Sequence, residues 1–140
     1  MDNPIKIAVT GSSNFEYKDF VKKLLLKLKE KCGDDLQIGT GGRLHGADKH
    51  IKSFCTKLNI ILVEFNPCHE TKSLYSYHDT RYFNKEFNIL NYFKRNKELV
   101  VWADKIFILK NKKDTTVDIN NLIKLADKSL KLAKIYTHND

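Results

Sequence analysis

Two short apolar runs are each followed by a glycine-bearing turn and then by a helical pattern, and this repeated order constrains the fold more than any other feature. Residues 5–9 lead into a turn over residues 10–15, and residues 36–38 lead into a longer turn over residues 39–48. Strand, small-residue turn and helix is the order in which an α/β sheet presents backbone N–H groups to an anion. The pattern predicts an α/β fold and favours binding of a phosphorylated molecule.

The same alternation continues to the end of the chain. Apolar residues at helical spacing predict four helices, over residues 17–31, 47–58, 84–101 and 119–130. Apolar runs predict three further strands, at residues 60–65, 105–109 and 134–136. We therefore expect a Rossmann-like, doubly wound, mainly parallel sheet of about five strands with helices on both faces. Ligands of such sheets bind beyond the carboxyl ends of the strands, where both glycine turns lie.

The length of the chain indicates the number of domains, and its charge indicates which kinds of partner it could bind. No repeat or linker divides the 140 residues, so residues 1–140 are expected to form one domain. The formal net charge of +8 is compatible with nucleic-acid binding. Many lysines, however, fall on the polar side of one predicted helix, which is typical of a solvated face. Nucleic acid is therefore a weaker alternative than an anionic small molecule.

Cysteine usage and hydropathy indicate the compartment. The three cysteines form no C-x-x-C pair, and their odd number argues against a disulfide framework. No apolar stretch approaches membrane-spanning length, and the N-terminus lacks the apolar core of a signal peptide. These features predict a cytoplasmic protein with no membrane partner; if the source is viral, the host cytoplasm is expected.

The longer glycine turn departs from two familiar phosphate-binding loops. Gly41 and Gly46 have the Walker A separation, but Ala47 and Asp48 stand where that motif needs Lys and Ser or Thr. The dinucleotide fingerprint fails as well, because Leu44 occupies the position of its third glycine. The turn is either an anion cradle, which we favour, or a tight left-handed turn that permits close packing of a helix on a strand.

Four segments together resemble the SLOG superfamily: IAVTGSSNF, GGRLHGADKHIKSFC, FNP and KRNKELVVWADKIFIL. The resemblance runs from residue 5 to about residue 135 and is greatest to the small stand-alone members of the YspA and DUF2493 type. It implies a Rossmann-like domain that binds nucleotides or nucleotide-derived signals. Some members of the superfamily are phosphoribohydrolases, and the DNA-processing protein A branch binds single-stranded DNA.

The resemblance also implies a set of ligand-binding residues. They come from the first turn, the GG…GAD turn, the Arg-Asn pair and the loop after the fourth strand: Gly11, Ser12, Ser13, Asn14, Gly41, Gly42, Gly46, Ala47, Asp48, Arg95, Asn96, Thr115 and Thr116. The last loop lacks the glycine that many relatives carry. Asp48 could bond a ribose or free helix N–H groups, and Arg95 could clamp a phosphate or pair with a carboxylate.

Catalysis is less well supported than binding. The phosphoribohydrolase pattern PGGxGTxxE is missing, since no PGG precedes Thr116 and Ile119 stands at its glutamate position. We therefore expect a sensor or sequestering protein, with no cofactor. The alternative is a hydrolase of an N-glycosidic or phosphate bond that uses Glu64, Asp79 or Asp118 as its acid.

The segment from residue 66 to residue 82 is the longest irregular stretch, and such loops often carry function. A metal site built from Cys68, His69, His78 and Asp79 is disfavoured, because adjacent ligands fit poorly around one tetrahedral ion. Tyr75 or Tyr77 could stack on a base over the pocket, or pack at a subunit interface.

A compact basic domain of this kind is also expected to form homo-oligomers.

Overall fold

The computed structural model describes residues 4–12, 15–41, 46–65, 89–112 and 117–138. Its five strands are β1 (Ile5–Gly11), β2 (Leu36–Thr40), β3 (Ile61–Glu64), β4 (Lys105–Asn111) and β5 (Leu132–His138). Its α-helices are α1 (Lys18–Cys32), α2 (Ala47–Lys57), α3 (Ile89–Trp102) and α4 (Val117–Lys128). A short 3₁₀ turn, Gly33–Asp35, joins α1 to β2.

The strands form one parallel sheet in the order β3-β2-β1-β4-β5. This arrangement confirms the predicted doubly wound α/β fold. The chain first builds outwards from β1 to β3, and then crosses back so that β4 pairs with the other side of β1. The strand order therefore reverses between β1 and β4, which is where open α/β sheets bind ligands.

The helices cover the two faces in pairs. One core joins α1 and α2 to the sheet through Val9, Leu25 and Ile51, all with no exposed surface. The other core joins α3 and α4 to the opposite face through Ala8 and Leu99. Successive residues of β1 alternate between these cores, as side chains of a strand must. Apolar burial on both faces explains why the buried strands read as almost continuous apolar runs.

Local sequence explains where the first helix ends. Its buried stripe repeats at helical spacing through Val21, Leu24, Leu25 and Leu28. Gly33 follows at φ 66°, a left-handed conformation that favours glycine and ends the helix.

The described part of the chain contains no helix with the length and apolarity needed to cross a bilayer.

Candidate functional site

Ser12, the residue after β1, lies beside the start of α2 at the carboxyl edge of the sheet. The backbone N–H of Ala47, the first residue of α2, donates to the carbonyl oxygen of Ser12 at 3.1 Å. The N–H of Phe15 donates to the same oxygen at 3.2 Å. One carbonyl after β1 thus joins the start of α2 to the first turn.

Asp48 ties the ends of both strands to α2. Its carboxylate is 1% exposed, and its Oδ1 accepts hydrogen bonds from the hydroxyls of Thr10 at 2.6 Å and Thr40 at 2.7 Å. Thr10 belongs to β1 and Thr40 is the last residue of β2. A buried carboxylate needs such donors, because desolvation without them would be costly. These two bonds come from threonine hydroxyls, which neither the ribose nor the helix N–H interpretation of Asp48 predicted.

The side chain of Arg95 lies against Gly41, the residue that follows β2. Its Nη1 donates to the carbonyl oxygen of Gly41 at 2.7 Å, and its Nε donates to Asn96 Oδ1 at 2.9 Å. Asn96 Nδ2 in turn donates to Asn121 Oδ1 on α4 at 3.2 Å. Arg95 and Asn96 are 4% and 1% exposed. These bonds connect the end of β2 to α3 and α4 through a buried polar network.

Two glycines of the site make room for protein atoms. A Cβ on Gly11 would overlap the carbonyl oxygen of Leu109 on β4. A Cβ on Gly41 would overlap Arg95 Nη1 and lie 2.8 Å from Asp48 Oδ2. Gly46 has another reason to be glycine, since it precedes α2 at φ 75°. At Gly11 and Gly41 the missing side chain therefore serves close packing.

The hydroxyl of Ser12 differs from the neighbouring polar groups at this edge of the sheet, which are hydrogen-bonded. The residue has no exposed surface, and its N–H donates to the carbonyl oxygen of Leu109 at 2.9 Å. Its hydroxyl, however, has no hydrogen-bond partner within the described structure. Most buried hydroxyls have a partner, so an unpaired one needs an explanation such as a ligand or an ordered water.

The structure brings eight of the predicted residues to one edge: Gly11, Ser12, Gly41, Gly46, Ala47, Asp48, Arg95 and Asn96. The remaining predicted residues lie outside the described residues: Ser13, Asn14, Gly42, Tyr75, Tyr77, Thr115 and Thr116. The amides of Ser12 and Ala47 already donate to protein carbonyls. Ligand contact by these residues stays a prediction, and for those two amides it requires the internal bond to be shared or replaced.

Sequence reasoning missed three side chains of the network: Thr10, Thr40 and Asn121. A signal for two of them was available, because β1 and β2 both carry the dipeptide Thr-Gly where they reach the turns. No local sequence pattern identifies Asn121, because its role depends on the packing of α3 against α4.

A titratable pair that the sequence did not reveal lies beside the two turns. His50, in the first turns of α2, is 5% exposed, and its Nε2 lies 3.3 Å from Glu16 Oε2. Glu64, a candidate acid, instead pairs with Lys52 at 3.0 Å. Asp79 lies outside the described residues, and so does the side chain of Asp118. The described residues hold no cluster of three or more His, Cys, Asp and Glu that could bind a metal ion.

Comparisons with known proteins leave the family open. No protein-family model matches the sequence, and no curated protein matches it. Among solved structures, the chain is similar to a truncated form of 3-deoxy-D-arabino-heptulosonate 7-phosphate synthase from Thermotoga maritima, at 10% identity and a TM-score of 0.35. The match covers 95% of this chain and 51% of that protein, so the chain spans about half its length. A likeness at this level indicates neither family nor function.

Proposed function

We propose that the chain is a SLOG-type domain that binds a nucleotide or nucleotide-derived signalling molecule at the carboxyl edge of its sheet, as a sensor or sequestering protein. The strand order supports this location, because open α/β sheets bind ligands where the strand order reverses, which here is between β1 and β4. The start of α2 supports a negatively charged ligand, because the helix dipole places partial positive charge there.

The unpaired hydroxyl of Ser12 is the observation that carries the proposal. It follows β1 directly, at the point where the strand order reverses, and its own carbonyl contacts the start of α2. A ligand oxygen bonded to this hydroxyl would remove the cost of leaving it buried and unsatisfied, about 1–3 kcal/mol. The proposal assigns Ser12 to ligand contact and Asp48 and Arg95 to the support of the edge.

The first experiment identifies the ligand directly. Protein purified from its expression host is denatured, and the released small molecules are separated and identified by mass spectrometry. A nucleotide or a nucleotide derivative, recovered in proportion to the protein, supports the proposal. If nothing is released, a panel of nucleotides is added and the thermal unfolding midpoint is measured; no stabilisation by any of them contradicts the proposal.

Ser12→Ala tests the site with little risk to the fold, because the hydroxyl makes no bond that folding would lose. We expect the free variant to unfold at the same temperature as the natural protein, and the stabilisation by nucleotide to fall or disappear. Ser53→Ala on the exposed side of α2 is the matched control and should retain full stabilisation. Gly46→Val is less suitable, because valine is strained at the left-handed φ of that position.

A nucleotide hydrolase is the second candidate, and the His50–Glu16 pair is the observation that favours it. An imidazole beside a carboxylate is a common source of general acid–base catalysis. Mass analysis of nucleotides incubated with the protein separates the two functions. Cleaved products that disappear in His50→Gln would establish the enzyme, whereas intact recovery of a bound compound would support the sensor.

The proposal extends to a cytoplasmic location and a homo-oligomer. Cys32 and Cys55 are both free thiols, as expected in a reducing compartment. Burial raises the pKa of the Cys55 thiol to about 12, so this thiol stays protonated and unreactive in the folded protein. Light scattering during size-exclusion chromatography measures the oligomeric state; a monomer with and without ligand would contradict the oligomer.

A further inference from the structure

Lys110, near the end of β4, differs from the other half-buried lysines of the described residues, which are Lys6, Lys29 and Lys131. Lys29 and Lys131 donate to carbonyl oxygens near the ends of helices, and Lys6 Nζ lies 6.0 Å from the centroid of the Trp102 ring. The ammonium of Lys110 has no ion pair and no hydrogen bond within the described part of the chain. Partial burial of an unpaired cation costs stability, so a ligand that supplies negative charge would account for its position.

Lys110 lies opposite Ser12 across the pair of strands β1 and β4. Gly11 is the register partner of Leu109, and the N–H of Ser12 donates to the carbonyl oxygen of Leu109 at 2.9 Å. This bond continues the parallel ladder by one residue, so Ser12 is level with Lys110 on the neighbouring strand. Neighbouring strands lie about 4.8 Å apart, a separation that one bound phosphate group can bridge.

Ser12 and Lys110 also share one face of the sheet. Ala8 and Ile106 are register partners, and both belong to the core that α3 and α4 cover. Side chains alternate between the two faces along a strand, so every second residue, up to Ser12 and Lys110, lies on this face. A cation and a buried, unpaired hydroxyl therefore stand next to each other where the strand order reverses.

The carboxylate of Asp48 explains why an anion at this point needs a cation of its own. Asp48 is buried at the same edge and accepts a hydrogen bond from Thr10, which lies on β1 just before Ser12. Its negative charge repels an anionic ligand, and neutral hydroxyl and amide donors do not offset a full charge. Lys110 supplies the opposite charge from the neighbouring strand.

We infer that Lys110 and Ser12 together bind a terminal phosphate group, so that the protein takes phosphomonoesters in preference to phosphodiesters, cyclic nucleotides included. Ser12 has no exposed surface, so only the end of a ligand reaches its hydroxyl, whereas a bridging phosphate needs room on both sides. A monoester also carries nearly two negative charges at neutral pH, which strengthens its attraction to the ammonium. The inference rests on the proposed carboxyl-edge site and assigns to it a residue and a class of ligand.

The test measures dissociation constants of methyl phosphate and dimethyl phosphate for the full chain by phosphorus NMR at constant ionic strength. We expect methyl phosphate to bind and dimethyl phosphate to bind at least about tenfold more weakly. Lys110→Gln should weaken methyl phosphate binding about tenfold or more, because a charge-assisted hydrogen bond is lost. Lys110→Arg keeps the charge and should retain most of the affinity, and Ser12→Ala should lose part of it.

Lys105→Gln is the matched control. Lys105 begins β4, is exposed and lies at the opposite edge of the sheet, so the variant removes the same charge from the same strand. It should leave the dissociation constants of both esters unchanged. Equal weakening in Lys110→Gln and Lys105→Gln would overturn the inference, since binding would then depend on net charge alone.

Other results separate the inference from the function on which it rests. Equal affinity for the two esters, or no binding of methyl phosphate, would overturn it. A nucleotide that binds Lys110→Gln with full affinity would also overturn it, while the proposed function would stand. Methyl phosphate that binds through Lys110 in a protein that no nucleotide stabilises would support the phosphate site and contradict the proposed function. Lys110→Gln should unfold at the same temperature as the natural protein, because the ammonium makes no bond that folding would lose.

Discussion

The same dipeptide, Thr-Gly, stands at the end of both β1 and β2. Its threonines make the same contact at the two strand ends, whereas its glycines make different ones. Both threonine hydroxyls donate to one oxygen of Asp48. The glycines differ: Gly11 lies against a backbone carbonyl of β4, whereas Gly41 lies against the side chains of Arg95 and Asp48. Identical local sequence thus meets a rigid neighbour at one strand end and a flexible one at the other.

The contacts of Gly11 and Gly41 show that the absence of a side chain at these positions serves packing. At both strand ends the missing glycine side chain is replaced by protein atoms, so neither position is an open approach to a ligand. Ser12, which directly follows Gly11, is buried with an unpaired hydroxyl. Gly11 and Gly41, two of the glycines that suggest a phosphate loop, therefore serve the close packing of protein atoms.

Gly11→Ala should have the largest effect of the changes that probe this comparison. The new Cβ would overlap the Leu109 carbonyl, and neither a rotamer change nor a side-chain movement could relieve the clash without shifting β1 against β4. We expect a loss of more than about 4 kcal/mol in the free energy of unfolding, a large part of the stability of a typical domain. Urea denaturation followed by circular dichroism measures it; a folded variant with an unchanged midpoint would refute the close approach.

Asp48→Ala removes the oxygen that the two strand ends share. The hydroxyls of Thr10 and Thr40 would lose their common acceptor in a buried setting, so we expect a loss of about 3 kcal/mol. Asp48→Asn retains an oxygen at this position and should cost less. The same denaturation measurement checks both variants, and equal losses would show that charge, not the shared acceptor, determines the contribution of Asp48.

Much of the fold follows from the sequence. The order of strands and helices and the parallel sheet were predictable, because apolar periodicity and small-residue turns are local signals. The predicted proximity of Gly11 to the longer turn also follows from this topology, since the carboxyl ends of parallel strands meet at one edge.

The bonding at the site was not predictable to the same extent. The role of Arg95 depends on how far α3 lies from the end of β2, a distance that tertiary packing sets. Likewise, no local pattern distinguishes Gly11 from Gly41, because the nearest atom to each glycine belongs to a distant residue: Leu109, about 100 positions from Gly11, and Arg95, about 50 positions from Gly41. The unpaired hydroxyl of Ser12 is visible only after every other donor and acceptor has been assigned.

Gly41→Ala sharpens the contrast with Gly11→Ala. Its Cβ would meet Arg95 Nη1, the end of a long side chain that can move, although the bond to the Gly41 carbonyl would weaken. We expect a loss of about 1–2 kcal/mol, smaller than at Gly11. Combining it with Arg95→Gln, which shortens the opposing side chain, should cost less than the two single changes added together. Strict additivity in this double-mutant cycle would contradict the contact.

Thr10→Val and Thr40→Val should have the smallest effects, and they test whether the two strand ends are equivalent where the structure makes them alike. Each change replaces a hydroxyl by a methyl of similar size and leaves Asp48 Oδ1 with the other donor, so each should cost about 1 kcal/mol. The double variant should cost more than the sum, because a buried carboxylate oxygen would then lose both hydroxyl donors. Urea denaturation of the four proteins in the cycle gives the coupling. Losses that differ by more than about 1 kcal/mol between the single variants would mean that one strand end holds Asp48 and the other only follows it.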